Sequence, residues 1–365
     1  MEDNRKIKVG IAHGEINGIG YEVILKTFSE PLMLDLCTPI IYGSPKIAAY
    51  YRKALELPAN FGIVASASEA SHNRLNIVNC VEDEVKVECS KPTQKTGMAA
   101  LQALETAVAE YEAGLLDVLV AAPMSMNLLQ SDEFHFRAHS EYVEERLSRK
   151  GDALTILLGE GLRIALATEH IPLREVASSL SIDLLKSKLL AFQKSLQYDF
   201  GINAPRIAVL SLNPHAGEGG LMGKEEEEII CPAIRQMMNE GMQCFGPYPA
   251  DGLIGSGNYA LFDGILALYH DQGFLPLKAL SESGVVYTAG LPVVLTSPAH
   301  GIACDIVGQG VAREDSFRQA VYDAIDVYRS RIREKQIRVN PLQKQYYEKK
   351  DDSDKLKLDT VDDDV

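Results

Sequence analysis

The chain has 365 residues, 46% of them apolar and 24% charged, with a formal net charge of −15. That length carries a sizeable core and suggests two lobes rather than one. So acidic a surface argues against nucleic acid or an anionic membrane as a partner, while a local basic pocket still admits a small anionic substrate.

Met1–Lys8 is polar and charged and has no apolar signal-peptide core, and no apolar run approaches the roughly 20 residues of a membrane span. A cytoplasmic protein is therefore expected. Cys37, Cys80, Cys89, Cys231, Cys244 and Cys304 are scattered without a C-x-x-C pair, which suits reduced thiols.

Along the chain, short apolar runs alternate with longer amphipathic stretches. Strands are expected over Ile7–Ala12, Pro39–Tyr42, Val118–Ala122, Thr155–Leu158, Arg163–Ala167, Arg206–Leu212, Gly264–Tyr269 and Val293–Thr296. Helices are expected over Ile19–Phe28, Pro45–Ala54, Gly97–Ala113, Ile182–Tyr198, Glu225–Asn239 and Glu314–Lys335. Strands spaced by helices read as an α/β protein with a largely parallel sheet. Boundaries near Gly114–Met126 and Gly301–Gly310 suggest a discontinuous first lobe (1–125 with 301–345) and a second lobe (126–300). From residue 346 the chain is dominated by Asp and Lys, and a mobile acidic tail is expected.

The first strand runs into Gly10-Ile11-Ala12-His13-Gly14-Glu15-Ile16-Asn17-Gly18-Ile19-Gly20. The backbone of such a turn can bind an anion at a helix start. It is neither a Walker loop nor a clean G-x-G-x-x-G, and a tight structural turn is the favoured reading of it.

Three histidines occupy equivalent places. His170 follows the run Arg163–Thr168, His215 follows Ile207–Leu212 within Asn213-Pro214-His215, and His270 follows Gly264–Tyr269 and opens His270-Asp271-Gln272-Gly273. If these strands are parallel, all three imidazoles leave one sheet edge, where open α/β sheets bind ligands. Three neutral imidazoles converging there suit a divalent transition metal with positions left for substrate. Lys278, about two helical turns past His270, supplies positive charge for a phosphate or carboxylate. His139-Ser140-Glu141 opens a helix, with Ser140 as a candidate N-cap. The small-residue segment His300–Gly308 would let a nucleotide approach the backbone.

From about Lys8 to about Arg338 the chain resembles the 4-hydroxythreonine-4-phosphate dehydrogenase family of vitamin B6 biosynthesis. The stretches that carry the likeness are Ala165-Leu166-Ala167-Thr168-Glu169-His170-Ile171-Pro172-Leu173, Ser211-Leu212-Asn213-Pro214-His215-Ala216-Gly217 and Tyr269-His270-Asp271-Gln272-Gly273. The resemblance implies a two-lobed fold like that of isocitrate and isopropylmalate dehydrogenases, not a Rossmann domain. It implies a homodimer with the active site at the subunit interface and metal ligands drawn from both chains. By the same likeness His170, His215 and His270 would ligate zinc, magnesium or cobalt. His139, Ser140 and Lys278 would contact substrate. Asp251 and Asp271 would be the acidic groups beside the metal, and His300, Gly301 and Asp305 would bind NAD. The implied reaction is metal-dependent oxidation of a secondary alcohol by NAD, then loss of CO2.

Several site positions depart from the family pattern. Leu295 stands where Arg is usual and Val286 where Asn is usual. Pro123-Met124-Ser125-Met126 lacks the family's Lys, Ala138-His139-Ser140 replaces Gly-His-Thr, and Gly14-Glu15-Ile16 replaces a Gly-Asp-Pro type turn. Neither Val286 nor Leu295 has a side-chain donor. The alternatives these departures keep open are a dehydrogenase for a different 3-hydroxy acid, or a non-catalytic homologue that retains fold and metal. A zinc hydrolase is a further alternative, but it lacks an evident Glu base.

Overall fold

The apolar runs assemble into one twelve-stranded sheet. The computed structural model describes residues 5–81, 86–130, 134–148, 151 and 153–339; the acidic tail expected from residue 346 lies outside them. The strands are β1 (Ile7–Ala12), β2 (Cys37–Gly43), β3 (Phe61–Val64), β4 (Leu75–Asn79), β5 (Val118–Ala121), β6 (Leu154–Gly159), β7 (Leu162–Leu166), β8 (Ile207–Leu210), β9 (Cys244–Tyr248), β10 (Gly264–Ala267), β11 (Val285–Ala289) and β12 (Val294–Pro298). The helices are α1 (Gly20–Thr27), α2 (Pro31–Leu36), α3 (Pro45–Ala54), α4 (Gln94–Glu112), α5 (His139–Leu147), α6 (Leu173–Ser179), α7 (Ile182–Tyr198), α8 (Cys231–Asn239), α9 (Ala250–Gly255), α10 (His270–Leu280) and α11 (Asp315–Val339).

The sheet order is β3-β4-β2-β1-β5-β12-β11-β6-β7-β10-β8-β9. From β3 to β12 all pairings are parallel. The pairs β12–β11, β11–β6 and β6–β7 are antiparallel, and β7, β10, β8 and β9 are again mutually parallel. The two parallel blocks thus run in opposite directions, and the carboxyl ends of β7, β10 and β8 lie side by side. Buried on both faces, the central strands read as continuous apolar runs, as in Ile164, Ala165 and Leu166.

Helix starts follow from local chemistry. Ser44 accepts from the Ile47 N–H ahead of α3, with Pro45 at the first helical position, and Thr93 with Thr96 forms a capping box on α4. The last helix returns to the middle of the sheet, where the Thr296 hydroxyl donates to the Ala320 carbonyl at 2.8 Å. Arg331 of α11 bonds Asp199 at 2.7 Å and the Tyr287 hydroxyl at 2.8 Å, tying α11 to the end of α7 and to β11.

The expected strands and helices all form, with small shifts at their ends. Four strands, β3, β4, β9 and β11, were not expected. β3 is short and partly exposed, β9 contains Gly246-Pro247, and β11 sits between glycines that read as turns. The helix expected from Glu225 begins as a π-helical turn over Glu226–Ile230. Ser140 does not cap α5: Ala138 holds the extended N-cap position, and no side chain bonds the first turn there. Among the described residues no helix is long and apolar enough to cross a membrane, and all six cysteines are free.

Candidate active site at three adjacent strand ends

Because β7, β10 and β8 are parallel neighbours, His170, His270 and His215 leave the sheet at one edge. The pairing of β7 with β10 continues past their ends: Ala167 N–H donates to Ala267 at 2.8 Å, and the Thr168 hydroxyl donates to Leu268 at 2.7 Å. Gln272 joins the other two loops. Its side-chain oxygen accepts from Leu268 N–H at 2.9 Å and its amide donates to the Ser211 carbonyl at 2.7 Å. The next residue is Gly273, where an added Cβ would meet Leu166 Cδ2 at 2.6 Å and Leu157 Cδ1 at 3.0 Å and push those side chains aside. This close approach seats the start of α10 directly on β7 and β6.

The His215 loop is strained. His215 and Ala216 take left-handed φ values of 52° and 53°, a cost that surrounding contacts must hold in place. Glu226 does so, accepting from the Leu212 and Asn213 N–H groups at 2.9 and 2.7 Å and from the Asn213 amide at 2.8 Å. Neither Gln272 nor Glu226 was singled out in the sequence. Gln272 sat inside a quoted motif, but Glu226 lay in an acidic run with nothing to mark it.

His170 and His270 have ring centroids 6.3 Å apart. Asp271 Oδ1 lies 2.8 Å from His270 Nδ1 and fixes that ring, which also stacks on Phe274 at 4.1 Å. Glu141 Oε1 lies 3.8 Å from His170 Nδ1 and raises the His170 pKa. His139, opening α5 beside them, is held down at about 4 by burial and by the nearby His170. Both effects favour the neutral imidazole. Ser140 follows it on α5, and Arg137 donates to the His170 carbonyl at 2.6 Å.

His215 and Asp251 leave the same edge, the latter exposed on the first turn of α9. Among the described residues they make no hydrogen bond or ion pair with this cluster, and no three His, Cys, Asp or Glu side chains of one chain stand close enough to hold a metal ion. In donor chemistry, three imidazoles leaving adjacent strand ends suit a divalent transition metal.

Lys278 lies about 12 Å further along α10 from His270. Its ammonium donates to the Ala299 carbonyl. With His300, Ala303, Ile306 and Arg313 it lines a cavity of about 560 Å³ between α10 and the start of α11. His300 bonds the Gly301 carbonyl at 3.0 Å, and burial lowers its pKa. Gly301 and Asp305 stand on the adjoining loop but do not line the cavity. Lys278 thus stands on the same helix as His270 and lines this second cavity.

The Gly10–Gly20 turn is structural. His13, Glu15 and Asn17 are buried within it, Asn17 donating to the Lys91 carbonyl and accepting from Glu88. A buried carboxylate there disfavours an anion.

The family model of the pyridoxal phosphate biosynthetic protein PdxA matches residues 35–324. The chain is 64% identical over 365 residues to a 4-hydroxythreonine-4-phosphate dehydrogenase of Bacteroides thetaiotaomicron, covering 100% of both chains. It is 42% identical over 314 residues to one of Chromobacterium violaceum, covering 86% of this chain and 94% of the relative. Among solved structures, the 4-hydroxythreonine-4-phosphate dehydrogenase of Klebsiella pneumoniae superposes with a TM-score of 0.75 at 28% identity, over 89% of this chain and 100% of that one.

Proposed function

The chain belongs to the PdxA family of pyridoxal phosphate biosynthetic proteins, and from that premise we propose that it oxidises 4-hydroxythreonine 4-phosphate with NAD and releases CO2. It is a dehydrogenase, as its close relatives are named. The observation that carries the reading is the placement of His170, His270 and His215 at three adjacent parallel strand ends, with His139 at the start of α5 near His170.

His170, His215 and His270 would hold the divalent metal, the set being completed across a homodimer. Bound there, a metal supplies the Lewis acidity that lowers the substrate hydroxyl pKa and offsets the charge left after CO2 departs. Asp271, by engaging His270 Nδ1, leaves Nε2 as the ligating nitrogen. Glu141 Oε1, 3.8 Å from His170 Nδ1, supplies a nearby negative charge to that ring. His139 and Ser140 supply neutral hydrogen bonds to substrate. Asp251 would stand as an acid beside the metal from α9.

The cavity lined by His300, Ala303 and Ile306 is the candidate NAD site, with Gly301 and Asp305 at its loop. Lys278, at the junction of the two sites, would anchor an anionic group or pass a proton. The proposed lobes, 1–125 with 301–345 on the NAD side and 126–300 on the metal side, place these sites between them, in a cytoplasmic enzyme. The test is formation of NADH from 4-hydroxythreonine 4-phosphate. Production that stops with a chelator and returns with zinc supports the reading, and its absence from folded dimer overturns it.

A further inference from the structure

We infer that Arg137 grips the substrate's phosphate, a role that rests on the function proposed above. A phosphate needs a fixed cation, and the guanidinium fork matches its oxygens better than an ammonium does. Leu295 and Val286 supply none: Leu295 is 1% exposed and lies in the core cluster with Tyr142 and Val143 of α5, and Val286 is apolar and packs against another cluster. Of the cations on the flanking helices, Arg174 is paired with Glu175 at 3.2 Å, Arg146 is paired with Glu112 at 3.1 Å, and Lys278 lines the second cavity, where it donates to the Ala299 carbonyl.

Arg137 differs from all of these. Its backbone N–H donates to Glu141 Oε2 at 2.7 Å, which fixes the turn into α5. One guanidinium N–H donates to the His170 carbonyl at 2.6 Å, which holds the side chain against the metal-site loop. The residue is exposed, and among the described residues its guanidinium forms no ion pair, since Glu141 pairs with His170 instead. Its remaining N–H groups are therefore open to a ligand, within the cluster that holds His139, Ser140 and His170. A carbonyl anchor at one end and free donors at the other make a preformed phosphate clamp. It lies on α5's approach rather than on β12.

The experiment compares wild type, Arg137→Ala and Arg137→Lys with 4-hydroxythreonine 4-phosphate and with unphosphorylated 4-hydroxythreonine. Arg137→Ala should raise KM for the phosphorylated substrate roughly a hundredfold and leave kinetics on the unphosphorylated one little changed. Arg137→Lys should recover part of the loss, and zinc affinity should stay at the wild-type value in both. Equal losses on both substrates, or a matching fall in zinc affinity, would overturn the assignment by making Arg137 a support for His170. Calorimetric binding of the phosphorylated compound separates this inference from the function itself. A wild type that binds it without turnover, and loses binding in Arg137→Ala, overturns the catalytic reading alone. Turnover that Arg137→Ala leaves intact overturns the clamp alone.

Discussion

Glu226 holds Asn213 twice, accepting from its backbone N–H at 2.7 Å and from its side-chain amide at 2.8 Å. This buried carboxylate, on a π-helical turn, fixes a loop whose next residues include His215 in a left-handed conformation. The position of one proposed metal ligand therefore depends on a residue that never touches the metal.

Replacing Glu226 by Ala should loosen that loop. Three N–H groups lose their acceptor, and a buried unsatisfied donor costs about 1–3 kcal/mol. A lower urea midpoint and roughly 10- to 100-fold weaker zinc binding are expected. Unchanged zinc affinity in a stable variant would refute the positioning role.

His13 sets an acid limit on stability. It is fully buried, stacks on Tyr21 at 5.1 Å, and burial holds its pKa at about 4. Above pH 6.5 the ring is neutral in both folded and unfolded chains and contributes nothing. Between pH 6.5 and about 4 only the unfolded chain takes up the proton, so stability is lost as pH falls, on the order of 3 kcal/mol in all. His13→Phe should flatten this limb in denaturation curves taken from pH 7 to pH 4. An unaltered slope would show that other groups cause it.

At Gly273, a side chain would have to displace the buried Leu166 and Leu157 side chains. Gly273→Val should cost about 1–3 kcal/mol by overpacking and displace His270 as α10 lifts from β7. Thermal unfolding combined with zinc titration reads both effects. Wild-type values for both would contradict the packing argument.

If His215 and His270 of each metal site come from different subunits, two inactive variants should complement. Mixed and reassociated His215→Ala and His270→Ala chains would then regain activity, because each heterodimer has one intact set. Activity that stays at background in verified heterodimers would place both ligands in one chain.

Much of this site was legible in the sequence because its chemistry is local. Each histidine directly follows an apolar run, and a run that becomes a buried parallel strand fixes where its carboxyl end lies. Antiparallel β11 and the edge strands β3 and β9 were not legible, since glycine, proline and exposure broke their pattern. Glu226, Gln272 and Arg137 act through contacts 13 or more residues away, 61 residues away and 33 residues away respectively. No short-range pattern encodes such contacts. Lys278 is placed by helical rise: eight residues past His270 on α10, it lines the cavity beside His300.

The most direct test of the central claim is NADH formation by the purified protein with 4-hydroxythreonine 4-phosphate, NAD and zinc, with and without chelator. The account predicts substrate-dependent NADH with one CO2 released per turnover, abolished by chelator and by His170→Ala. Folded, zinc-loaded protein that yields no NADH, or yields it equally without metal, would contradict it.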